Sequence, residues 1–267
     1  MQSRRYSNAR KSGAPQLQSE TSHHNEQKAL SSRNLGLALK AMATERSTKH
    51  PYPGRLIAVE GLDGSGKSTQ VYLLKRWLEH QGVRVFFSKW NSSHLVKSAT
   101  SKGKNRALLT PTTFSLIHAT DFADRYERQL VPLLRAGYIV LCDRYVFTAF
   151  ARDTVRGCPP DWVRQIYDFA AQPDIIFFLK ARLETSLDRI LQSRAELKYF
   201  EAGMDLRLST DIQESFRLFQ AQQLEQYLAM STEFDFTVID ADQLIEVQQN
   251  LLRTIITTRI DLDRYRN

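Results

Sequence analysis

Gly61-Leu62-Asp63-Gly64-Ser65-Gly66-Lys67-Ser68-Thr69 fits the G-x-x-x-x-G-K-[ST] pattern of a phosphate-binding loop, and the fold follows from it. The apolar run Leu56, Ile57, Ala58, Val59 precedes it and an amphipathic helix pattern follows, which is the strand–loop–helix setting the motif requires. An anionic triphosphate has to be wrapped by backbone N–H groups at a helix N-terminus, and glycines let the backbone come close enough to do it. Gly61, Asp63, Gly64, Ser65 and Gly66 are therefore expected around the triphosphate, with Lys67 reaching the β- and γ-phosphates. The Ser68 hydroxyl is placed to ligate Mg²⁺. The loop predicts a bound nucleoside triphosphate.

Outward from the loop, short β runs at 55–60, 83–88, 138–142, 174–179 and 235–240 alternate with helical patterns. The helices are predicted over 67–81, 111–135, 145–155, 160–170, 183–195, 209–229 and 243–258. Gly82 ends the first, and the second opens at Thr110-Pro111, where proline is tolerated in the first turn. This alternation predicts an α/β chain with a five-stranded parallel sheet covered by helices on both faces, a three-layer fold of the P-loop NTPase type.

Residues 1–50 read differently. They are rich in Ser, Asn, Gln, Arg and Lys, contain one short apolar patch (Leu35, Leu37, Leu39), and cannot bury enough surface to offset chain entropy. A disordered basic tail is expected there, with the folded body over 51–267. The tail holds nine lysines and arginines against three acids, so six of the eight excess positive charges of the chain fall outside the body. The body is thus not expected to present a nucleic-acid-binding face. A basic, Ser-containing, acid-poor leader also admits an organelle transit peptide; a solvated tail is the simpler reading. No stretch has the apolar length of a membrane span or a signal-peptide core, so a soluble, cytoplasmic protein is expected. Cys142 and Cys158 have no C-x-x-C spacing, and no zinc site is expected.

Asp143 ends the apolar run Tyr138, Ile139, Val140, Leu141, Cys142, at the carboxyl end of a buried strand where open α/β sheets bind ligands. A carboxylate there holds Mg²⁺ or its water, and Arg144 beside it can grip a second phosphate; a salt-bridged strand end is the bland alternative. Farther along, Arg189, Arg194 and Lys198 lead into Phe200-Glu201-Ala202-Gly203-Met204. Phosphoryl transfer spreads charge over equatorial oxygens, and a basic segment that closes over them neutralises it and expels water. A lid is expected at about 193–206.

The phosphate loop with Ala58-Val59-Glu60 before it, Asp143-Arg144-Tyr145, Asp124-Arg125 some twenty residues earlier and Gln172-Pro173-Asp174 before a strand together resemble the thymidylate kinase family over about 55–258. The resemblance implies transfer of the γ-phosphate of Mg-ATP to dTMP, giving dTDP and ADP in nucleotide biosynthesis, by a homodimer built through helices such as that near 111–135. It places Lys67, Ser68 and Thr69 on the ATP phosphates and metal, Asp143 near the metal, Arg144 and Arg125 on the acceptor, and Asp63 at the acceptor 3′-hydroxyl. With Gly64 and Ser65 in the loop, the catalytic arginine is expected in the lid, at Arg194, and Asp240 falls in a loop beside the adenine. The chain departs from the family where Ser88-Lys89-Trp90-Asn91 replaces an Arg-Glu-Pro segment, Asp121 an aromatic, and Arg152 and Asp153 an aromatic and a Gln that face the base. Trp90, Phe114 and Phe150 are candidate replacement stacks. A kinase for another nucleotide, nucleoside or small phosphate acceptor, and a nucleotide-binding module without transfer, are the alternative readings.

Overall fold

β1 (Arg55–Gly61) is apolar for most of its length, so neither of its faces can be left to water. A strand alternates its side chains between faces, which sends Leu56 and Ala58 one way and Ile57 and Val59 the other. In the computed structural model, which describes residues 49–266, both sets are buried. β1 lies between β3 (Ile139–Asp143) and β4 (Ile175–Lys180), with β2 (Val85–Lys89) and β5 (Thr237–Asp240) outside them. All neighbours are parallel, in the order β2-β3-β1-β4-β5. The expected five-stranded parallel sheet is the one that forms. The sequence-based expectation of a tail over 1–50, and its transit-peptide alternative, fall almost wholly outside the described residues. His50 is the exception: its ring Nε2 sits 3.0 Å from Asp174 Oδ2, buried against the body.

The helices are α1 (Lys67–His80), α2 (Lys97–Asn105), α3 (Pro111–Arg125), α4 (Val131–Arg135), α5 (Val146–Val155), α6 (Pro160–Ile166), α7 (Leu183–Ser193), α8 (Ile212–Glu233) and α9 (Ile245–Arg259). Val71, Leu74 and Leu78 of α1 and Leu252 and Ile256 of α9 cover the Ile57/Val59 face. Phe122 of α3, Phe147 of α5 and Tyr227 of α8 cover the Leu56/Ala58 face. Each such large apolar side chain contributes about 1.5–3 kcal/mol on burial, so the sheet is held from both sides.

Two elements differ from the sequence reading. The expected single helix over 111–135 is interrupted by a π-helical turn at Tyr126–Leu130. Pro132 has no N–H to give and its ring crowds the carbonyl four residues back, which disfavours an unbroken α-ladder there. α2 was not anticipated, because Thr100 alone of its nine residues is buried and no apolar period marks it. Gly103 permits its close approach to Leu109: a Cβ at that glycine would stand 2.6 Å from Leu109 Cδ2.

The pairing register sets the position of the site. Val59 pairs with Asp143, Lys89 with Asp143, and Gly61 with Leu179, so the carboxyl ends of β1, β2 and β3 finish together. The strand order reverses across β1, and the crevice at such a point is where open α/β sheets bind ligands.

Candidate active site

The phosphate loop runs from β1 into α1 over the sheet edge. Gly64 (φ 78°) is required twice over: its backbone is in the left-handed region, and a Cβ there would lie 2.2 Å from the Ser186 carbonyl oxygen. Lys67 is buried and donates to Leu62 O at 2.5 Å and to Ser65 Oγ at 3.3 Å. Burial, with Arg144 adding to it, pushes the Lys67 ammonium down to about 8. The Ser68 hydroxyl donates to Asp143 Oδ2 at 2.8 Å, so strand end and loop bring a hydroxyl and a carboxylate oxygen to one point. Hard oxygen donors of this kind suit Mg²⁺, which is held by one or two protein oxygens plus phosphates and water. The residues present therefore fit that ion.

Arg144 follows Asp143 with φ 72°, an uncommon conformation for a side chain of this size. Its amide donates to Val59 O at 3.0 Å, which turns its guanidinium back over the loop. There it donates to Gly61 O and Thr148 Oγ1, both at 3.2 Å, and pairs with Asp63. Burial pushes the Asp63 carboxyl up, but the cations around it, Arg144 foremost, outweigh this and hold it below its ordinary value. Glu60 supports the arrangement from beneath. It is fully buried and accepts from Tyr145 N (2.7 Å), Thr148 Oγ1 (2.7 Å) and Tyr227 OH (3.0 Å), with burial raising its pKa.

Two cavities open from this point. One, of about 820 Å³, is lined by the loop from Asp63 through Gln70, by Asp143, and by Arg189 and Ile245. The other, of about 740 Å³, runs away from the loop between α2, α3, α5 and α8, past Lys104, Phe114, Arg152 and Gln223. They share one wall: Asp63, Trp90, Asn91, Arg144, Arg194, Lys198 and Glu201 line both. Lys67, Ser68 and Asp143 line the first cavity, and Arg144 and Arg194 lie on the wall between the two.

Several anticipated residues do not line this cleft. Arg125 is buried rather than facing the second cavity: Nε donates to Asp121 Oδ2 and one terminal nitrogen to Ser88 Oγ, each at 2.9 Å, while Trp90 lies 5.6 Å from its guanidinium carbon. Asp121, one turn earlier, holds the cation here, and the second terminal nitrogen of Arg125 is buried without a hydrogen-bond partner among the described residues. Asp153 is fully buried and holds Arg152, accepting from Nε at 2.6 Å and from a terminal nitrogen at 3.1 Å, so it meets a ligand through Arg152 only. Asp240, at the end of β5, accepts from Asp242 N (3.0 Å) and Gln243 Nε2 (2.9 Å) and is not in the cleft wall. Phe150 borders a separate cavity of about 370 Å³. Phe114 borders the cleft, but His118 stacks on it at 4.3 Å and Arg152 and Arg156 approach it at 4.6 and 4.4 Å. Trp90 is left as the aromatic on the shared wall.

The segment after α7 contributes Arg194, Lys198 and Glu201 to the shared wall and ends in a 3-10 turn at Met204–Leu206. Leu197 and Ala202 bury themselves against Leu187, Ile190 and Phe216, while the Phe200 ring lies 5.3 Å from that of Phe114. Arg194 pairs with Glu201, and Gly203 (φ 67°) lies so near Phe219 that a Cβ would stand 2.6 Å from its ring. Arg156 of α5 fastens the loop from below, donating to Asp205 Oδ2 (2.8 Å) and Phe200 O (2.6 Å). Sequence reasoning missed Arg156, Glu60 and Lys104 as contributors. For Glu60 the signal was a charge within an apolar stretch, but its partners are distant in sequence; nothing local marks Arg156, and Lys104 sits on the unforeseen α2.

Architecture and cleft together put the chain in the P-loop class of nucleotide-handling α/β proteins. Within that class, the family model described as thymidylate kinase matches residues 59–251. The chain is 42% identical to the probable thymidylate kinase 2 of Saccharolobus solfataricus over 209 residues, covering 78% of this chain and 98% of that protein. It is 29% identical to the probable thymidylate kinase of Thermococcus kodakarensis (76% and 97% covered) and 29% to the thymidylate kinase of Brachyspira hyodysenteriae (55% and 73%). The chain belongs to the thymidylate kinase family.

Proposed function

We propose that this protein transfers the γ-phosphate of ATP to dTMP, yielding dTDP and ADP. The observation that carries the reading is the shared wall between a cavity on the phosphate loop and a second cationic cavity, which lets two phosphorylated molecules meet end to end. The loop amides and Lys67 hold the triphosphate, and Ser68 and Asp143 are the residues that would hold Mg²⁺. When bound, that ion neutralises charge on the triphosphate oxygens. Arg144 and Arg194 border the junction, where charge develops on the moving group, and their effect is electrostatic. An oxygen of the acceptor phosphate forms the new bond to the γ-phosphorus as its bond to the β–γ bridging oxygen breaks, and ADP leaves with that electron pair. No side chain is required as a nucleophile, so positioning within a cleft the lid shields from water supplies most of the acceleration.

The reading includes a kinase domain over 51–267 with its lid at about 193–206, a homodimer formed through the α3–α4 region, and a cytoplasmic location. Among the described residues no helix is long and apolar enough to cross a membrane. An ADP-release assay on the full chain, with dTMP, dUMP, dCMP and dGMP as acceptors, tests the activity: turnover is expected with dTMP at the highest kcat/KM, and turnover with none of the four refutes it.

A further inference from the structure

If the acceptor phosphate sits at the junction, as the proposed function requires, the rest of the acceptor extends into the second cavity, toward Lys104, Phe114 and Arg152. The charges there are unevenly matched. Arg144 is paired with Asp63, Arg194 with Glu201 and Arg152 with Asp153. Lys104 makes no ion pair among the described residues; its Nζ lies 5.2 Å from the Phe114 ring centroid. The Arg152 guanidinium lies over the same ring at 4.6 Å, so two cations from different helices converge on one aromatic platform. Burial pushes the Lys104 ammonium down to about 7, with Arg152 and Arg156 adding to it and Asp63 opposing them.

We propose that Lys104 and Arg152 read the base of the acceptor through its ring carbonyl oxygens and thereby select keto over amino pyrimidines. Ammonium and guanidinium groups are donors only. A thymine or uracil offers them carbonyl oxygens, whereas the exocyclic amino group of cytosine puts a donor against donors. A site built to satisfy its buried polar groups on one ligand rejects an analogue that leaves them unsatisfied. Asp153 serves as the positioning residue: fully buried and bidentate, it fixes the orientation of Arg152.

The inference rests on the proposed kinase reading, and the full-length protein tests the two separately. Steady-state kinetics with dTMP, dUMP and dCMP would be measured for the wild type, Lys104→Met, Lys104→Arg, and Arg152→Gln combined with Asp153→Asn so that no buried carboxylate is left alone. Loss of a charged hydrogen bond predicts a KM for dTMP raised about 10- to 100-fold in Lys104→Met and in the double variant. The KM for ATP stays at its wild-type value, which also shows that the variants are folded. The preference for dTMP over dCMP in kcat/KM contracts by a similar factor, and Lys104→Arg restores it. A wild-type dTMP/dCMP preference that survives unchanged in Lys104→Met and the double variant overturns the proposal, as does a wild type that uses dCMP as well as dTMP. Preference for thymidine 3′,5′-bisphosphate over dTMP would assign the cations to a phosphate and overturn it too. A wild type without turnover of any monophosphate removes the kinase reading and, with it, this one.

Discussion

With only 1% of its surface exposed, Arg125 is matched to Asp121 by a 2.9 Å hydrogen-bonded ion pair. Removing one partner of a buried pair leaves the other charge stranded at a cost of about 3–5 kcal/mol. Arg125→Met is therefore expected to lower the melting temperature by roughly 6–20 °C for a body of this size, read by calorimetry. Arg125→Met with Asp121→Leu should recover most of that loss. At Lys104 the expected readout is pH. Its ammonium has been pushed down to about 7, and Arg152 and Arg156 from α5, Lys198 from the lid and Asp63 from the phosphate loop act on it. An electron-rich ligand favours the charged form, so affinity for dTMP is expected to fall as pH rises through about 7. The phosphate of dTMP also titrates in this range, and comparing wild type with Lys104→Met removes that shared contribution. The ratio of their KM values for dTMP should contract toward unity from pH 6 to 9; a constant ratio would contradict it.

α5 links chemistry and closure. Its start carries Thr148 against Glu60 and Arg144, its middle carries Arg152 toward the acceptor cavity, and its end carries Arg156 into the lid. Residues 148, 152 and 156 are four apart and so share one helix face. Arg156→Met takes away two hydrogen bonds to the 193–206 segment, at 2.8 and 2.6 Å, together with the guanidinium contact on the Phe114 ring. A loosened lid admits water to the junction, so ADP release without acceptor should rise while dTMP-dependent kcat falls about tenfold, as loss of charged hydrogen bonds predicts. Unchanged coupling between the two activities would show that the lid closes without Arg156.

Across the molecule, the five-stranded parallel sheet and the phosphate loop were legible because they are written locally, as apolar runs and a glycine-rich motif, whereas the strand order was not. Ser68 and Asp143 meet because β1 and β3 pair in parallel with Val59 opposite Asp143, a register the apolar runs do not specify. The acceptor side was less legible. Whether Arg125 reaches outward depends on Asp121 and Ser88, and whether Asp153 reads a base depends on Arg152, which are facts of three-dimensional neighbourhood. α2 escaped because a helix that buries one threonine has no period to detect. One consequence follows from the wall common to both chambers. Trp90, Asn91, Arg144 and Arg194 form a boundary that neither nucleotide can press upon without altering the surface offered to the other. Occupancies on the two sides are then energetically linked, and such linkage is symmetric: by whatever factor ATP tightens or loosens its neighbour, the neighbour changes ATP by the same factor.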